Sequence, residues 1–492
     1  QKKKSLCIEK SRHTMLSQSA YTPWISSDPH LSEENFVPHP TEVCEPINLA
    51  AAECPPLTYT MRSNPTGTST MQTETVRRAM QSIQERHGFL LGDATGVGKG
   101  RTIAAIVLEY AAAHDQHLRV AWVSASIRLE PEARAEIETV GADGSCMIFE
   151  SYCGMQNPTN ETRLIDWLSQ GAALLILDEC HLLRNEKSIA ATTFNRVIRC
   201  VPNLDIVYSS ATACSQVRHM AYLGRLGLFE SNESPFQTFD ALSRAVRQHG
   251  SSLMELLAID MRSRGAYVAR QLSFVDVEVV HSVSAMKVHQ RELYDRCVVA
   301  MRESPRSGSM QQSFFQRLIT AFKVDETIRL TESEIRDGNS VVISLVNTGD
   351  AAAKRTTVKD VPRAKLPTID DESDDLLELD LPLNPLDALF LHFGDRMVEL
   401  TGRRCRFLQS NGRIKTVPNP SLRDQAELFT SGKRHIAVLS RAGGTGISLH
   451  DATDGRRRVH VILEIPWSAE DMLQQMGRTH RSNSRRPPKY IL

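Results

Sequence analysis

Four short apolar runs constrain the fold most. GFLLG at 88–92, RVAWVSA at 119–125, ALLILDE at 173–179 and DIVYSSA at 205–211 are each long enough for one buried strand. Between them the apolar period changes: Ile103, Ile106, Val107, Tyr110 and Ala111 fall at the i, i+3, i+4 spacing of a helix face. Strands that alternate with helices must lie parallel, because each crossover returns the chain to the same end of the sheet. A second set, SVVISLV at 340–346, HIAVLS at 435–440, RVHVILEI at 458–465 and KYIL at 489–492, repeats the design. The expected organisation is an α/β chain. It has an irregular N-terminal extension at 1–56, a first α/β domain at 57–235, a mostly helical linker or insert at 236–338 and a second α/β domain at 339–492. Within the helical segment only SFVDVEVVHSV reads as strand. Within the second domain, 350–385 is acidic and Pro-bounded and reads as a solvated insertion.

At 492 residues the chain has material for two or three domains with proper cores. Lys plus Arg and Asp plus Glu are equal at 58 each, so any polyanion has to be met by a local patch rather than by net charge. The basic clusters Arg403-Arg404, Arg456 to Arg458 and Arg485-Arg486 are candidates, each with a solvated face as its ordinary reading. Ten cysteines without a C-x-x-C pair argue against a zinc ribbon or redox dithiol and fit a reducing compartment. No apolar run approaches a membrane span. The chain begins at Gln1 and stops inside an apolar segment, so either end is expected to be processed or cut.

The first apolar run leads into GDATGVGKGRT at 92–102. Backbone N–H groups of a Gly-rich turn ahead of a helix form an anion cradle, and Lys99 would reach the terminal phosphates of a nucleotide. A magnesium-binding hydroxyl is expected directly after that lysine, where this chain has Gly100. Alone, the turn is as easily an ordinary one. About eighty residues on, LLILDECH ends an apolar strand in Asp178 and Glu179, where parallel sheets place their ligands. There Asp178 would hold magnesium through water, and Glu179 would orient and deprotonate an attacking water. An isolated Asp-Glu pair reads as a helix cap; its pairing with the cradle selects a nucleotide site.

DATGVGKG, DECH, SSATA at 209–213, RAGGTGISL at 441–449 and QQMGRTHRSN at 474–483 occur in the order of motifs I, II, III, V and VI of superfamily 2 helicases. With VSASIRLEPEARAEIETVGA, MAYLGRLGLF, AIDMRSRGAYVARQLSF and RRRVHVILEIPWSAEDMLQQMGRTHRSN, the chain resembles the strawberry notch family, whose cradle reads GVGKGRT. The resemblance covers roughly residues 70–345 and 395–492.

It implies two RecA-like domains flanking an ATP cleft, with ATP and Mg2+ as cofactors, and it makes Gly100 a family trait rather than decay. The nucleotide contacts it implies are Gln72, which would read the adenine edge, with Gly96, Gly98, Lys99, Gly100, Arg101, Thr102 and Gly446. Asp178, and Thr102 or a water, would serve the metal. Glu179, Lys99, Arg478 and Arg481 would be catalytic. The two arginines, i and i+3 on a helix that Ser468 and Asp471 cap, would neutralise charge on the transferring phosphoryl group. Ser210, Thr212, His181 and Gln474 would couple ATP to a polymer held near Ser124, Ser126, Tyr152, Ser344, Gly443, Gly444 and Thr445. A threonine at 100 is expected to crowd the turn, because glycine permits backbone angles that threonine does not.

The leading expectation is an ATP-dependent helicase or translocase acting on DNA or RNA, working within a larger protein or ribonucleoprotein assembly and not at a membrane. The alternatives are a remodelling factor that uses the ATPase without unwinding strands, and a structural helicase-fold subunit; the intact lysine, Asp-Glu pair and arginines speak against the last. The expected location is intracellular, nuclear for a eukaryotic nuclear member, with an organelle or viral or bacterial cytoplasm also open.

Overall fold

The computed structural model describes residues 21–27, 41–86, 88–114, 118–212, 220–231, 234–303, 308–346, 360–362, 379–403, 405–410, 413–440, 447–451 and 454–492. The chain forms two compact units, 16–273 and 274–492. The division falls inside the segment 236–338 that the sequence groups as one insert. Helices Phe239–His249 and Ser251–Ser263 go with the first unit, because Leu242, Val246, Leu257 and Met261 join its core. Helices Val288–Glu303, Gly308–Phe322 and Val324–Arg336 go with the second.

In the first unit, β1 (Tyr21–Pro23) and β2 (Val43–Pro46) precede β3 (Gly88–Leu91), β4 (Leu118–Ser124), β5 (Met147–Ser151), β6 (Ala172–Asp178), β7 (Asp205–Ser209), β8 (Tyr267–Val268) and β9 (Gln271–Leu272). A six-stranded sheet runs in the order β5-β4-β6-β7-β3-β8 with every pair parallel. Its strands feed two cores alternately. Leu175 and Leu177 of β6 face Phe194 and Val197 of helix Ile189–Cys200. Leu174 and Ile176 face Ile103, Ile106, Val107 and Tyr110 of helix Lys99–His114. Alternate residues point to opposite faces of a pleated strand, so a strand covered on both sides reads as a continuous apolar run. The described part of the N-terminal extension is built in: β1 and β2 form an antiparallel sheet with β9. Val43 and Leu272 bury Met71 and Val97, with Trp24 and Ala94 packed alongside.

The second unit contains β10 (Glu278–Val280), β11 (Ser340–Leu345), β12 (Asp360–Pro362), β13 (Met397–Leu400), β14 (Cys405–Ser410), β15 (Arg413–Pro418), β16 (Ile436–Ser440), β17 (Arg458–Ile462) and β18 (Lys489–Ile491). Its main sheet, β10-β18-β17-β11-β16-β13, is also wholly parallel. Val341, Ile343 and Leu345 pack on helix Pro385–Phe393, while Val342 packs on the side of Phe429 from helix Leu422–Thr430. A small antiparallel sheet, β12-β15-β14, stands apart. Of the acidic insertion, 350–359 and 363–378 lie outside the described residues.

One arginine in each of two candidate basic clusters is scaffold instead. Arg403 is buried between Asp387 and Glu399, and Arg458 is buried on Asp454 with its guanidinium 4.8 Å from the Phe429 ring centre. A buried guanidinium needs such partners, because an unpaired charge in a core is costly. The chain is thus α/β, with two RecA-like parallel-sheet domains.

Candidate functional site

The glycine-rich turn leaves β3 and enters helix Lys99–His114, as the sequence implies. Gly96 and Gly98 have φ of 95° and 105°, a left-handed region that favours glycine. At Gly98 a Cβ would lie 2.7 Å from the Gln72 side-chain nitrogen. Gly100 is different. It is inside the helix, lacks a positive φ, and a Cβ there would meet only Glu136 at 3.7 Å, an ordinary contact. The expectation that a threonine at 100 would crowd the turn is therefore corrected at its Cβ: the tight position is Gly98.

Gln72 is tied into this turn. Its Oε1 accepts from the Ser69 N–H at 2.9 Å, and the Ser69 hydroxyl accepts from the Gln72 N–H at 3.3 Å. Together they form a reciprocal capping box at the start of helix Thr70–Arg86. Its Nε2 donates to the Gly98 carbonyl at 3.2 Å. Lys99 Nζ donates to the Asp93 carbonyl at 2.9 Å. Arg101 pairs with Glu136 and donates to the Gly67 carbonyl.

Asp178 ends β6, and β7 lies between β6 and the cradle strand β3. Its carboxylate accepts from Ser124 Oγ at 2.9 Å and from Ser209 Oγ at 3.0 Å. Burial, then the neighbouring Glu179 charge, push its carboxyl above the ordinary range, while Ser124, Lys99 and Ser209 oppose the shift. Ser124 and Tyr152, expected at a polymer, face inward instead. Ser124 is fully buried on Asp178, and the Tyr152 hydroxyl donates to the Asp178 carbonyl at 2.9 Å. Ser124 ends β4, the strand paired directly with β6, and Tyr152 follows β5 on the far side of β4, from where its side chain reaches the Asp178 carbonyl. Ser126 caps a short 3-10 turn by accepting from the Arg128 N–H.

Glu179 has φ 51° and ψ 44°, a left-handed conformation uncommon for a non-glycine residue and characteristic of functional turns. Its carboxylate is 3.3 Å from His181 Nδ1, which is 3.0 Å from Ser210 Oγ. The Ser210 hydroxyl accepts from the Thr212 N–H, and the Ser210 N–H donates to Leu91, the last residue of β3. A polar chain thus runs from the Asp-Glu turn to the strand that carries the cradle.

A nucleoside triphosphate fits the phosphate cradle, with its left-handed glycines, its lysine and its helix N-terminus. Magnesium fits the Asp178 carboxylate. It does not fit Thr102, whose side chain is 1% exposed with its hydroxyl 3.4 Å from the Gly98 carbonyl. Water would supply the ligand that position 100 lacks, in keeping with the waters magnesium retains.

In the second unit Ser344 is the penultimate residue of β11, fully buried and with no hydrogen-bond partner for its hydroxyl. Ser468 caps helix Ala469–Met476 by accepting from the Asp471 N–H. This helix carries Gln474 but not the two arginines. It stops at Met476, and Arg478 lies in the turn that follows, where its carbonyl accepts from the Leu449 N–H at 2.8 Å. Arg481 comes after that turn. The arginines therefore do not project from one helical face, because Gly477 closes the helix before them. Gly443, Gly444, Thr445 and Gly446 lie outside the described residues.

Sequence reasoning missed Arg270 and Asp93. Asp93, in the first turn of the cradle, is fully buried and accepts from Arg270 Nε at 3.0 Å and from its terminal nitrogen at 2.7 Å. The two residues stand 177 positions apart, and no local pattern links them.

A profile described as P-loop containing NTP hydrolase pore-1 matches residues 38–162 and 144–296. Another, described as the C-terminal domain on Strawberry notch homologue, matches 384–492. Protein strawberry notch homolog 2 of Mus musculus is 26% identical over an alignment of 646 residues that takes in 92% of this chain and 47% of the mouse protein. Homolog 1 of Rattus norvegicus is 28% identical, over 92% of this chain and 51% of its own length. The chain thus spans about half the length of these relatives. Among solved structures, the Mycobacterium smegmatis helicase Lhr bound to ssDNA and AMP-PNP is similar at a TM-score of 0.44 and 13% identity, over 85% of this chain and 45% of that one. Two sequence profiles that together take in most of the chain, on the two parallel-sheet units described above, place it plainly: the chain belongs to the strawberry notch family.

Proposed function

We propose that this chain is an ATP-dependent nucleic-acid motor. The observation that carries the reading is the strained Asp178-Glu179 turn at the end of β6, where the Lys99 charge acts on the Asp178 carboxyl. In this reading the cradle amides and Lys99 bind the phosphates, and Asp178 holds Mg2+, which draws charge from the phosphoryl oxygens when bound. Glu179 takes the proton of the attacking water, and Ser124 and Ser209 keep Asp178 in place. Arg478 and Arg481 supply positive charge to the transferring phosphoryl group. His181 and Ser210 carry the state of the Asp-Glu turn toward β3 and β7. Gln72 acts on the nucleotide through Gly98, with an N–H left over for the adenine edge. DNA or RNA is the polymer, held mainly through its phosphates and so with little sequence selectivity. The setting is a larger protein or ribonucleoprotein assembly inside the cell.

The test is ATP hydrolysis by the full chain with no polymer, duplex DNA, single-stranded DNA and RNA in parallel. Stimulation by one polymer, lost in Lys99→Ala, is the expected result. Hydrolysis indifferent to every polymer would leave an ATPase without a motor, and equal turnover by Lys99→Ala would remove the site.

A further inference from the structure

The cradle carries one carboxylate of its own, Asp93, at the start of a turn that is to receive a polyanion. Unpaired, a buried carboxylate there would repel phosphate. It is not unpaired: Arg270 grips it with Nε and a terminal nitrogen, and the Arg270 N–H donates to it at 3.0 Å. The pair is sealed, with Arg270 4% exposed and Asp93 fully buried. The same guanidinium donates to the Met71 carbonyl at 3.3 Å and the Thr75 hydroxyl at 2.7 Å. It thus joins the cradle to the helix that bears Gln72. Main-chain bonds run alongside, from Gly92 N–H to the Val268 carbonyl at 2.8 Å and from Ala94 N–H to the Arg270 carbonyl at 2.7 Å. The Asp93 carbonyl is also the group on which Lys99 rests.

We propose that Arg270 is a positioning residue for the nucleotide: it cancels the Asp93 charge within the cradle and, through the Asp93 main chain, sets where the Lys99 ammonium stands. The proposal rests on the reading of the cradle as a nucleotide site. A packing role alone would require only that the pair be present. The proposed role requires that the charges balance, which gives it a signature of its own.

The experiment measures binding of a fluorescent ATP analogue to the full chain, alongside the melting temperature of each variant. Arg270→Gln leaves the carboxylate bare and is expected to weaken binding on the order of tenfold or more. Asp93→Asn with Arg270→Gln removes both charges and is expected to return affinity to within about threefold of the parent. Asp93→Asn alone leaves an extra cation beside the phosphates and is expected to tighten binding several-fold, a readout that stands even if Arg270→Gln does not fold. Unchanged binding in folded Arg270→Gln, no rescue in the double variant, or weaker binding in folded Asp93→Asn would each overturn the proposal. Lys99→Ala is the control for the site itself. A parent that fails to bind the analogue, or binds it no better than Lys99→Ala, would overturn the nucleotide reading and this role with it.

Discussion

The two parallel sheets are built alike but secure their polar groups in different places. In the first unit the hydrogen bonds gather at strand ends: Ser124 and Ser209 on Asp178, His181 between Glu179 and Ser210. In the second, the strongest buried partnerships are scaffold, with Arg403 locked to Asp387 and Glu399 and Arg458 to Asp454. One residue before the end of β11 the Ser344 hydroxyl has no partner. The first unit gathers polar partners around the candidate site besides scaffold pairs such as Arg78 with Glu74 and Arg262 with Glu45, whereas these buried pairs of the second hold its own sheet. Substitutions should separate accordingly, with rate lost in the first unit and stability lost in the second.

The largest expected effect tests the first half of that contrast. Glu179→Gln should lower ATP turnover by about 100-fold or more, because the water loses its base, while nucleotide affinity and melting temperature hold. Glu179→Gly should be as inactive yet melt higher, by roughly 1 kcal/mol, since glycine relieves the left-handed backbone. A Glu179→Gln protein with parental turnover would break the comparison at its strongest point. Arg403→Ala addresses the other half. It strands two buried carboxylates and should destabilise the second unit by about 3–5 kcal/mol, read in denaturant melts, while the first unit keeps its nucleotide affinity.

A smaller pair of effects sharpens the picture within one turn. Gly98→Ala puts a Cβ against Gln72 at a positive φ and should weaken nucleotide binding about tenfold. Gly100→Ala should leave binding alone and stabilise the helix by roughly 0.5–1 kcal/mol. Equal effects at both positions would show that the cradle does not distinguish them.

The last effect is absent near neutrality and emerges only in acid. Burial lowers the His460 imidazole to about 3, so it stays neutral in the folded second unit, whereas the unfolded chain takes up a proton near pH 6.5. The stability it contributes is complete above the unfolded value and is lost as pH falls from there toward 3. His460→Gln should flatten that acid limb in melting curves, and an unchanged limb would assign the acid sensitivity elsewhere.

Strands such as β4, β6 and β11 were legible because both faces are covered and their apolar runs are unbroken. β5 and β13 were not, because each carries a glutamate. Glu399 can sit inside β13 only because Arg403 meets it, a fact of three-dimensional pairing rather than local pattern. The cradle and the Asp178-Glu179 pair were legible as the ends of apolar runs, since parallel strands deliver their C-terminal ends to one edge, whereas Gln72, His181 and Ser210 were singled out only through the family resemblance. The directions of the side chains were not legible: Ser124 and Tyr152 turn inward, and Gly477 stops the helix before the arginines. The Ser69 and Gln72 capping box had a readable signature in S-x-x-Q. Arg270 had none.

The placement of β10 bears on how the chain is made. At the edge of its sheet it pairs with β18, so Glu278 lies beside Lys489 and Val280 beside Ile491. On the ribosome the first unit has all its strands once residue 273 has emerged, and can fold while synthesis continues. β10 appears next, but it has no strand to join until β18 is made. Pairing across so long a stretch of chain is slow, and in the interval Val279 is exposed to other chains. The second unit is therefore the half whose yield should depend on translation speed and on chaperones.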